Sequence, residues 1–402
     1  MQNIRKITDD LYYIGASDRR ISLFESVYPV PDGVSYNSYL LNDDKTILFD
    51  TVDKTVAEQF FENLKAALDG KTLDYMVINH LEPDHSAMIK RVIEKYNNVK
   101  IICNAKIKQM LYQFFEFGDD IEENFEVIKE GDKISTLNHK FTFLMAPMVH
   151  WPEVMVTYDI KDKILFSADA FGSFGAINGN IFDNEVEFGS LIDEYRRYYT
   201  NIVGKYGTQV NMLLKKAAGV EIDMICPLHG LILKDNISKL VELYSKWANY
   251  TPEIQSVLIA YTSVYGNTQN VAEIVASNLA ERGVKNIKMY DVSTIHDSYV
   301  LSDCFKYSHI VLATTTYNNN VFVNMENFVH DLVNHNLQNR TFAIIENGSW
   351  APNCGTTLRG ELEKLQNCEI LDNKITIKSS LKKSQNEEIF AFADAIAKEI
   401  LK

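Results

Sequence analysis

Four side chains that can bind metals lie within six residues of one another in the first half of the chain. The segment YMVINHLEPDH places His80, Glu82, Asp84 and His85 directly after an apolar, strand-like run. Pro83 does not fit the interior of a strand or helix, so we expect these side chains to lie on a loop. Imidazole and carboxylate groups bind hard or borderline cations. A polar surface loop is the alternative for this motif by itself.

Three further residues favour a metal site over a surface loop. His150 ends the apolar run FTFLMAPMV, Asp169 follows KILFSA, and His229 follows MICPL. Each stands just past a predicted strand, and loops at the end of a sheet gather functional groups. His139 lies in a turn-like stretch, and we predict that its side chain is exposed to solvent.

A second candidate site begins at residue 262, after the apolar run QSVLIAY. Hydroxyl and backbone N–H groups at such a strand-to-helix turn form a cradle for an anion, aided by the helix N-terminus. The chain has neither GxxxxGK[ST] nor GxGxxG, which excludes a P-loop and argues against a dinucleotide site. Because the loop has no lysine, we predict that it binds a phosphate monoester through neutral donors. The alternative is that its hydroxyl groups simply cap the helix. The loop comprises Thr262, Ser263, Val264, Tyr265, Gly266, Asn267 and Thr268.

Two more loops extend this second site, because each follows a predicted parallel strand at the end where such sheets bind ligands. Tyr317 and Trp350 lie on these loops and either flank a flat ring or cover the sheet edge. The loops comprise Thr314, Thr315, Thr316, Tyr317, Asn318, Asn319, and then Asn347, Gly348, Ser349, Trp350 and Ala351.

The elements that position the first site are short β-rich runs with helices between some of them. Helical spacing of apolar residues is present in TVAEQFFENLKAAL and SAMIKRVIEKY. This irregular order predicts an α+β or layered sandwich fold. The predicted strands cover residues 46–49, 75–78, 100–103, 141–145, 163–166 and 224–226.

From about residue 255 strands and helices alternate, which predicts a five-stranded parallel α/β sheet. The residue before Pro252 resists helix, so residues 249–253 carry the boundary. We therefore predict two domains, 1–250 and 254–402. A length of 402 residues fits two or three domains.

Composition excludes several classes of protein. With 46% hydrophobic and 23% charged residues, the chain is not intrinsically disordered. A net charge of −14 makes nucleic acid and membrane surfaces poor partners. The N-terminus has no apolar signal region, so we expect a cytoplasmic protein. The five cysteines have no CxxC pair, which excludes a disulfide framework, a Cys-rich zinc site and a Cys-ligated iron–sulfur cluster. They are Cys103, Cys226, Cys304, Cys354 and Cys368.

HLEPDH together with the three later ligands resembles the metal pattern of the metallo-β-lactamase fold, with one departure. Zinc hydrolases of that fold usually read HxHxDH, whereas Glu82 stands here in place of the second histidine. Four histidines and three carboxylates without a thiolate favour an oxygen-rich dinuclear site. The three later loops resemble those of flavodoxins. In combination, nearly the whole chain resembles the flavodiiron proteins.

This resemblance implies a metallo-β-lactamase-like αββα sandwich, followed by a flavodoxin-like doubly wound five-stranded sheet that binds FMN. It also implies two irons and no catalytic residue beyond their ligands. Tyr198 and Tyr199 resemble a family segment near the metals, without an assigned role. The implied ligands are His80, Glu82 and His150 for one iron, Asp84, His85 and His229 for the other, and Asp169 as the bridge.

The implied function is reduction of O2 to water, of NO to N2O, or of both, with electrons relayed by FMN. The chain ends at Lys402 without a rubredoxin-like domain, so we expect an external donor, either a rubredoxin-like protein or F420H2. In the family, a head-to-tail homodimer brings the two cofactors together, and a homotetramer is also expected. Two alternatives stay open: a zinc-dependent hydrolase fused to a flavodoxin domain, and a non-catalytic flavin electron carrier.

Overall fold

The computed structural model describes residues 2–402, apart from the side chains of residues 119 and 120. Contacts divide the chain into two units. The first takes the residues up to Tyr199 together with Thr208–Ser245, and the second takes Thr200–Gly207 together with Lys246–Lys402. None of the helices in this described part combines the length and apolar character that crossing a bilayer requires.

The first unit contains two main sheets. One has the order β1-β2-β7-β8-β9-β10-β11, and the other runs β12-β13-β14-β15-β16. The strands are β1 (Arg5–Lys6), β2 (Leu11–Tyr13), β3 (Ala16–Asp18), β4 (Leu23–Phe24), β5 (Tyr28–Pro29), β6 (Val34–Tyr36), β7 (Tyr39–Asn42), β8 (Thr46–Phe49), β9 (Tyr75–Val77), β10 (Lys100–Asn104), β11 (Phe125–Ile128), β12 (Lys133–Ser135), β13 (Lys140–Met145), β14 (Met155–Asp159), β15 (Ile164–Phe166) and β16 (Met224–Cys226). The helices up to residue 248 are α1 (Ala57–Leu68), α2 (Pro83–Ser86), α3 (Ile89–Lys95), α4 (Ala105–Phe114), α5 (Ile192–Tyr198), α6 (Gly207–Ala217) and α7 (Ile237–Ala248).

Aromatic side chains pack the two sheets of the first unit against each other. The ring of Phe49 on β8 stacks on Phe166 of β15 with 4.0 Å between centroids. Phe49 also contacts Phe141 of β13, and Tyr39 of β7 contacts Phe166. All four residues of β8 are buried, because both faces of this sheet are covered. This layered packing confirms the predicted sandwich.

The second unit is a parallel sheet with the order β18-β17-β19-β21. Two short strands, β22 and β23, pair in parallel with successive parts of β21 and form the fifth strand in two pieces. This confirms the predicted five-stranded sheet. The strands are β17 (Ile254–Tyr261), β18 (Lys288–Asp291), β19 (Tyr307–Tyr317), β20 (Asn320–Val321), β21 (Thr341–Asn347), β22 (Glu369–Ile370) and β23 (Ile375–Ile377), and the helices are α8 (Asn267–Glu281), α9 (Asp297–Lys306), α10 (Val323–Asn334), α11 (Cys354–Leu362) and α12 (Asn386–Ile400).

The prediction that His139 is exposed is wrong. Its side chain lies just before β13 and the residue is only 3% exposed. The ring nitrogens lie 2.7 Å from Asp159 Oδ2 and 2.9 Å from Asp10 Oδ2, and these two carboxylates make burial of the imidazole tolerable. Burial lowers the pKa of His139, but the hydrogen bonds to both carboxylates outweigh it and raise the pKa to about 9.

Candidate metal centre and flavin site

The ligand-rich segment of the first unit leaves β9 and enters a short helix. Residues 78–82 are irregular, and α2 begins at Pro83. The expectation that Asp84 and His85 lie on a loop is therefore wrong, because both lie within α2. Proline is well tolerated at the first position of a helix, because an N–H group there would have no acceptor within the helix.

One group of side chains converges around two carboxylates. His150 Nε2 lies 2.9 Å from Glu82 Oε2 and 3.1 Å from Asp169 Oδ2. His80 Nε2 lies 3.3 Å from the same Glu82 oxygen and 3.4 Å from the same Asp169 oxygen. The four ligand atoms are close enough to surround one cation.

A second group lies on the other side of Asp169. His85 Nε2 lies 3.3 Å from Asp84 Oδ2 and 3.2 Å from Asp169 Oδ1. His229 Nε2 lies 3.2 Å from Asp84 Oδ2 and 3.0 Å from His85 Nε2. Asp169 thus presents Oδ2 to the first group and Oδ1 to the second, as a carboxylate shared by two cations would.

The hydrogen bonding of this cluster fits a pair of cations. All seven side chains are buried. Both carboxylate oxygens of Asp84 and Oδ1 of Asp169 form no hydrogen bond to any described residue. Burying carboxylate oxygens without hydrogen bonds costs roughly several kcal/mol unless cationic groups compensate their charge. His85 and His229 also direct nitrogens at each other, which suits two ligands of a shared metal.

Electrostatics favour the ionised form of Asp169 and the protonated form of His150. Burial raises the pKa of Asp169, but His85 and His80 hold it well below its usual range. Burial lowers the pKa of His150, yet hydrogen bonds to Asp169 and Glu82 raise it to about 9. Metal binding must therefore displace protons from imidazole groups.

Outer partners orient two of the histidines. His80 Nδ1 donates to Glu153 Oε1 over 2.8 Å, and His229 Nδ1 donates to the carbonyl oxygen of Ser35 over 2.7 Å. In both cases Nε2 faces the cluster and would offer its lone pair to a metal once any proton there is displaced, the arrangement typical of metal-binding histidines. Sequence reasoning missed Glu153, although a carboxylate three residues after His150 is a signal that could have found it.

Aromatic rings surround His229. Phe24, Tyr36 and Tyr198 place their ring centroids 5.3, 5.8 and 5.5 Å from the imidazole. The same hairpin that carries Phe24, β4–β5, carries Glu25 at its tip. Burial raises the pKa of Glu25 to about 8, and its hydrogen bond to Glu82 acts in the same direction. The sequence carries no motif around Glu25 that signals this approach.

In the second unit, the first predicted loop joins β17 to α8. Thr262 and Thr314 share a hydrogen bond between their buried hydroxyl oxygens, so these side chains tie two strands together. The Ser263 hydroxyl is buried and forms no hydrogen bond to any described residue. Gly266 adopts a left-handed conformation with φ of 84° directly before the helix. A buried hydroxyl without a partner beside a helix N-terminus fits an anion such as a phosphate.

The three predicted loops line one cavity. Its volume is about 390 Å³, within the range of small-molecule sites. Tyr265 and Trp350 on its rim are 92% and 91% exposed, which leaves two flat side chains available to a planar ring. The predicted residues that line the cavity are Val264, Tyr265, Thr315, Thr316, Tyr317, Asn318, Asn319, Gly348, Ser349, Trp350 and Ala351.

Two of the predicted residues that do not line the cavity, Asn347 and Thr268, are buried and contact each other. The buried side chain of Asn347 donates from Nδ2 to the hydroxyl of Thr268, over 3.2 Å. Asn347 Oδ1 accepts from the backbone N–H of Ser379. Asn347 thus ties the helix after the first loop to the segment that follows β23.

Comparison with known proteins agrees with this two-part construction. Residues 34–230 match the family model described as ODP family beta lactamase, and residues 259–365 match the flavodoxin model. The chain therefore has a beta-lactamase-like domain followed by a flavodoxin domain.

The chain is similar to curated relatives and to solved structures over most of its length. Anaerobic nitric oxide reductase flavorubredoxin of Escherichia coli is 30% identical over 350 residues, covering 86% of this chain and 72% of that protein. The flavorubredoxin of the same name in Vibrio vulnificus is 32% identical over 318 residues, covering 78% of this chain and 63% of that protein. Among solved structures, rubredoxin oxygen:oxidoreductase of Desulfovibrio gigas aligns with a TM-score of 0.92 at 26% identity, covering 99% of this chain and 98% of that one.

The chain belongs to the flavodiiron protein family and is an oxidoreductase. Its cofactors are FMN in the flavodoxin domain and a pair of irons in the beta-lactamase-like domain. The hydrogen bonding and charge of both candidate sites fit these groups.

Proposed function

We propose that this protein reduces O2 to water, NO to N2O, or both, at the buried cluster of the first unit. The observation that carries the proposal is Asp169, whose two carboxylate oxygens face two separate groups of nitrogen and oxygen ligands. Glu82 supports it further, because its carboxylate replaces the histidine of zinc hydrolases. The names of the relatives in Escherichia coli and Desulfovibrio gigas fit NO and O2 as the two candidate substrates.

In this proposal the two groups of side chains hold one iron each. A bound iron pair supplies one-electron chemistry and open positions for a small diatomic molecule. The first iron would be held by His80, Glu82 and His150, the second by Asp84, His85 and His229, and Asp169 would hold both.

The residues around these ligands shape the reaction space. Phe24, Tyr36 and Tyr198 line the His229 side of the cluster with rings, which limits the room for water. Exclusion of water strengthens electrostatic interactions inside a site. Ser35 and Glu153 keep the protons of His229 and His80 on the outer nitrogens, so that both imidazoles act as neutral ligands.

The flavodoxin domain would hold the FMN phosphate with neutral donors and the ring beside its exposed aromatic side chains. Residues 263–268 supply backbone N–H groups and the Ser263 hydroxyl at the start of α8. Tyr265 and Trp350 are the candidates to contact the ring.

Electrons would come from an external donor, either a rubredoxin-like protein or F420H2. Lys378, Lys382 and Lys383 are exposed on the segment after β23, and Ser379 in that segment hydrogen-bonds Ser349 of the cavity. A basic surface next to the flavin cavity of a protein with a net charge of −14 favours an acidic protein donor. A head-to-tail homodimer or a homotetramer is the assembly we propose, with the cytoplasm as its location.

Elemental analysis combined with gas consumption tests this function. The chain is purified from iron-supplemented cells, loaded with FMN, and reduced either by a rubredoxin plus its reductase or by F420H2. We expect about two irons and little zinc, with consumption of O2 or NO that requires FMN. Zinc that persists when iron is plentiful would support the hydrolase alternative. Two irons without consumption of either gas would contradict the proposed substrates.

A further inference from the structure

The outer partner of His80 is a buried carboxylate, and among the described residues that histidine is its one ion-pair partner. Glu153 is 1% exposed, and its Oε1 accepts both the imidazole N–H of His80 over 2.8 Å and the backbone N–H of Leu81 over 2.9 Å. Its other oxygen, Oε2, forms no hydrogen bond to any described residue. The backbone of Glu153 is held as well, because its carbonyl oxygen accepts from Asn104 Nδ2.

Of the other two fully buried histidines of the cluster, one has a weaker outer partner and one has none among the described residues. His229 Nδ1 donates to the neutral carbonyl oxygen of Ser35. His85 Nδ1 forms no hydrogen bond within the described part of the chain. A carboxylate acceptor makes an imidazole more basic than a carbonyl acceptor does, so the three histidines are unequal as ligands.

We infer that Glu153 is a positioning residue that makes the two metal positions unequal. It fixes the ring and the proton of His80 and adds negative charge behind that ligand. The position that includes His80, Glu82 and His150 therefore binds its metal more tightly and favours the oxidised state more than the position that includes Asp84, His85 and His229. This inference rests on the ligand assignment of the proposed function.

The test removes the negative charge of Glu153 and keeps the size of its side chain. In Glu153→Gln the amide oxygen still accepts from Leu81 and His80, while the negative charge is lost. Loss of an outer partner of a ligand typically weakens metal binding by about 10–100-fold. We expect the iron-loaded chain to lose one iron to a chelator at least tenfold faster than wild type, and the other at an unchanged rate.

A redox titration followed by EPR gives a readout that a purely structural role would not move. In Glu153→Gln we expect a higher midpoint potential for the iron that is oxidised first, and an altered signal of the half-oxidised pair. Glu153→Asp retains the charge and should restore a potential close to that of wild type.

The chain offers a matched control. Asp159 accepts a hydrogen bond from His139 over 2.7 Å in the same unit, and it contacts none of the seven candidate ligands. Asp159→Asn should lower the thermal stability of the first unit without changing iron retention or potential.

Two results would overturn the inference. One is equal loss of both irons in Glu153→Gln, and the other is a potential that Glu153→Gln leaves unchanged. If Glu153→Gln does not fold, the wild-type chain tests the inference by itself. Its two irons should then leave at different rates and be oxidised at different potentials, and equal rates with a single potential would overturn the inference. None of these measurements uses O2 or NO, so a wrong substrate assignment would leave their outcome intact.

Discussion

The two sites of this chain use opposite physical means to hold their ligands. The candidate metal centre consists of ionised and ionisable side chains that are buried and converge on one another. The flavin cavity is lined by neutral side chains and has exposed aromatic residues on its rim. Buried carboxylates crowded into one site are costly without cations, whereas a neutral cradle is not. The first unit should therefore depend on its cofactor for stability far more than the second.

The largest expected effect comes from removing the carboxylate that both metal groups share. Asp169→Ala should abolish O2 and NO turnover and lose at least one iron, while FMN stays bound. Asp162→Ala removes a carboxylate of the same unit whose partner is Lys161, and it should leave iron content unchanged. Iron analysis and flavin absorbance measure both variants. Full activity in Asp169→Ala would contradict its role as the bridge.

Metal removal tests the contrast between the units directly. A ligand present at 1,000 times its Kd stabilises the native state by about 4 kcal/mol, so chelation should lower the melting temperature of the first unit by several degrees. The second unit should melt as before as long as FMN is retained. Differential scanning calorimetry with and without iron separates the transitions. A second unit that is destabilised equally would contradict the contrast.

A smaller effect concerns the buried ion pairs of His139, outside the metal cluster. Its pKa of about 9 exceeds the ordinary value of 6.5, so its contribution to stability is complete below about pH 6.5 and is lost as pH rises through 9. The upper bound is about 3 kcal/mol. Urea denaturation at pH 6.5 and 9.5 measures the loss, and His139→Gln should remove most of the difference between the two pH values. An unchanged difference in that variant would assign the pH effect to other groups.

Part of the candidate metal centre and of the fold could be predicted from the sequence, and part could not. The ligand loop is dense enough to stand out, since four candidate ligands fall within six residues. Strands 46–49 and 224–226 match β8 and β16, because continuous apolar runs are typical of strands covered on both faces. The domain bounds, which no observation tests, stay a prediction.

Glu25 and His139 could not be placed in the same way. Each is a single polar residue whose environment is created by segments far away in the chain, such as Asp10 for His139 and Glu82 for Glu25. The helix α9 has only a weak helical signal in the sequence, because DSYVLSDCFK is short and contains serine and aspartate, which are poor helix formers.

Two glycines of the second unit allow the effect of charge on FMN binding to be separated from the effect of backbone strain. Gly266 and Gly283 both have left-handed φ values, 84° and 92°, and a Cβ at either position meets no atom within 4 Å. Aspartate at either glycine should cost about 1–2 kcal/mol of backbone energy. Only Gly266→Asp adds negative charge to the phosphate loop, so FMN binding should weaken by about tenfold or more, equivalent to about 1.4 kcal/mol. Fluorescence titration measures the FMN affinity of the aspartate variants at Gly266 and Gly283. Equal affinities in the two variants would contradict the assignment of the phosphate loop.

The smallest expected effect concerns the hydroxyl of Thr268. It is buried and accepts a hydrogen bond from Asn347, so Thr268→Ala leaves the side-chain amide of Asn347, next to the cavity residue Gly348, with one partner fewer. The cost of such a loss is about 1 kcal/mol, which corresponds to an FMN affinity lowered by roughly fivefold. Ser256→Ala removes a comparable hydrogen bond, to the backbone of Lys285, near the opposite end of β17, and should leave FMN affinity unchanged. If both variants weaken FMN binding equally, the effect comes from the stability of the sheet. The flavin cavity would then depend less on its own hydroxyl groups than the metal centre depends on its carboxylates.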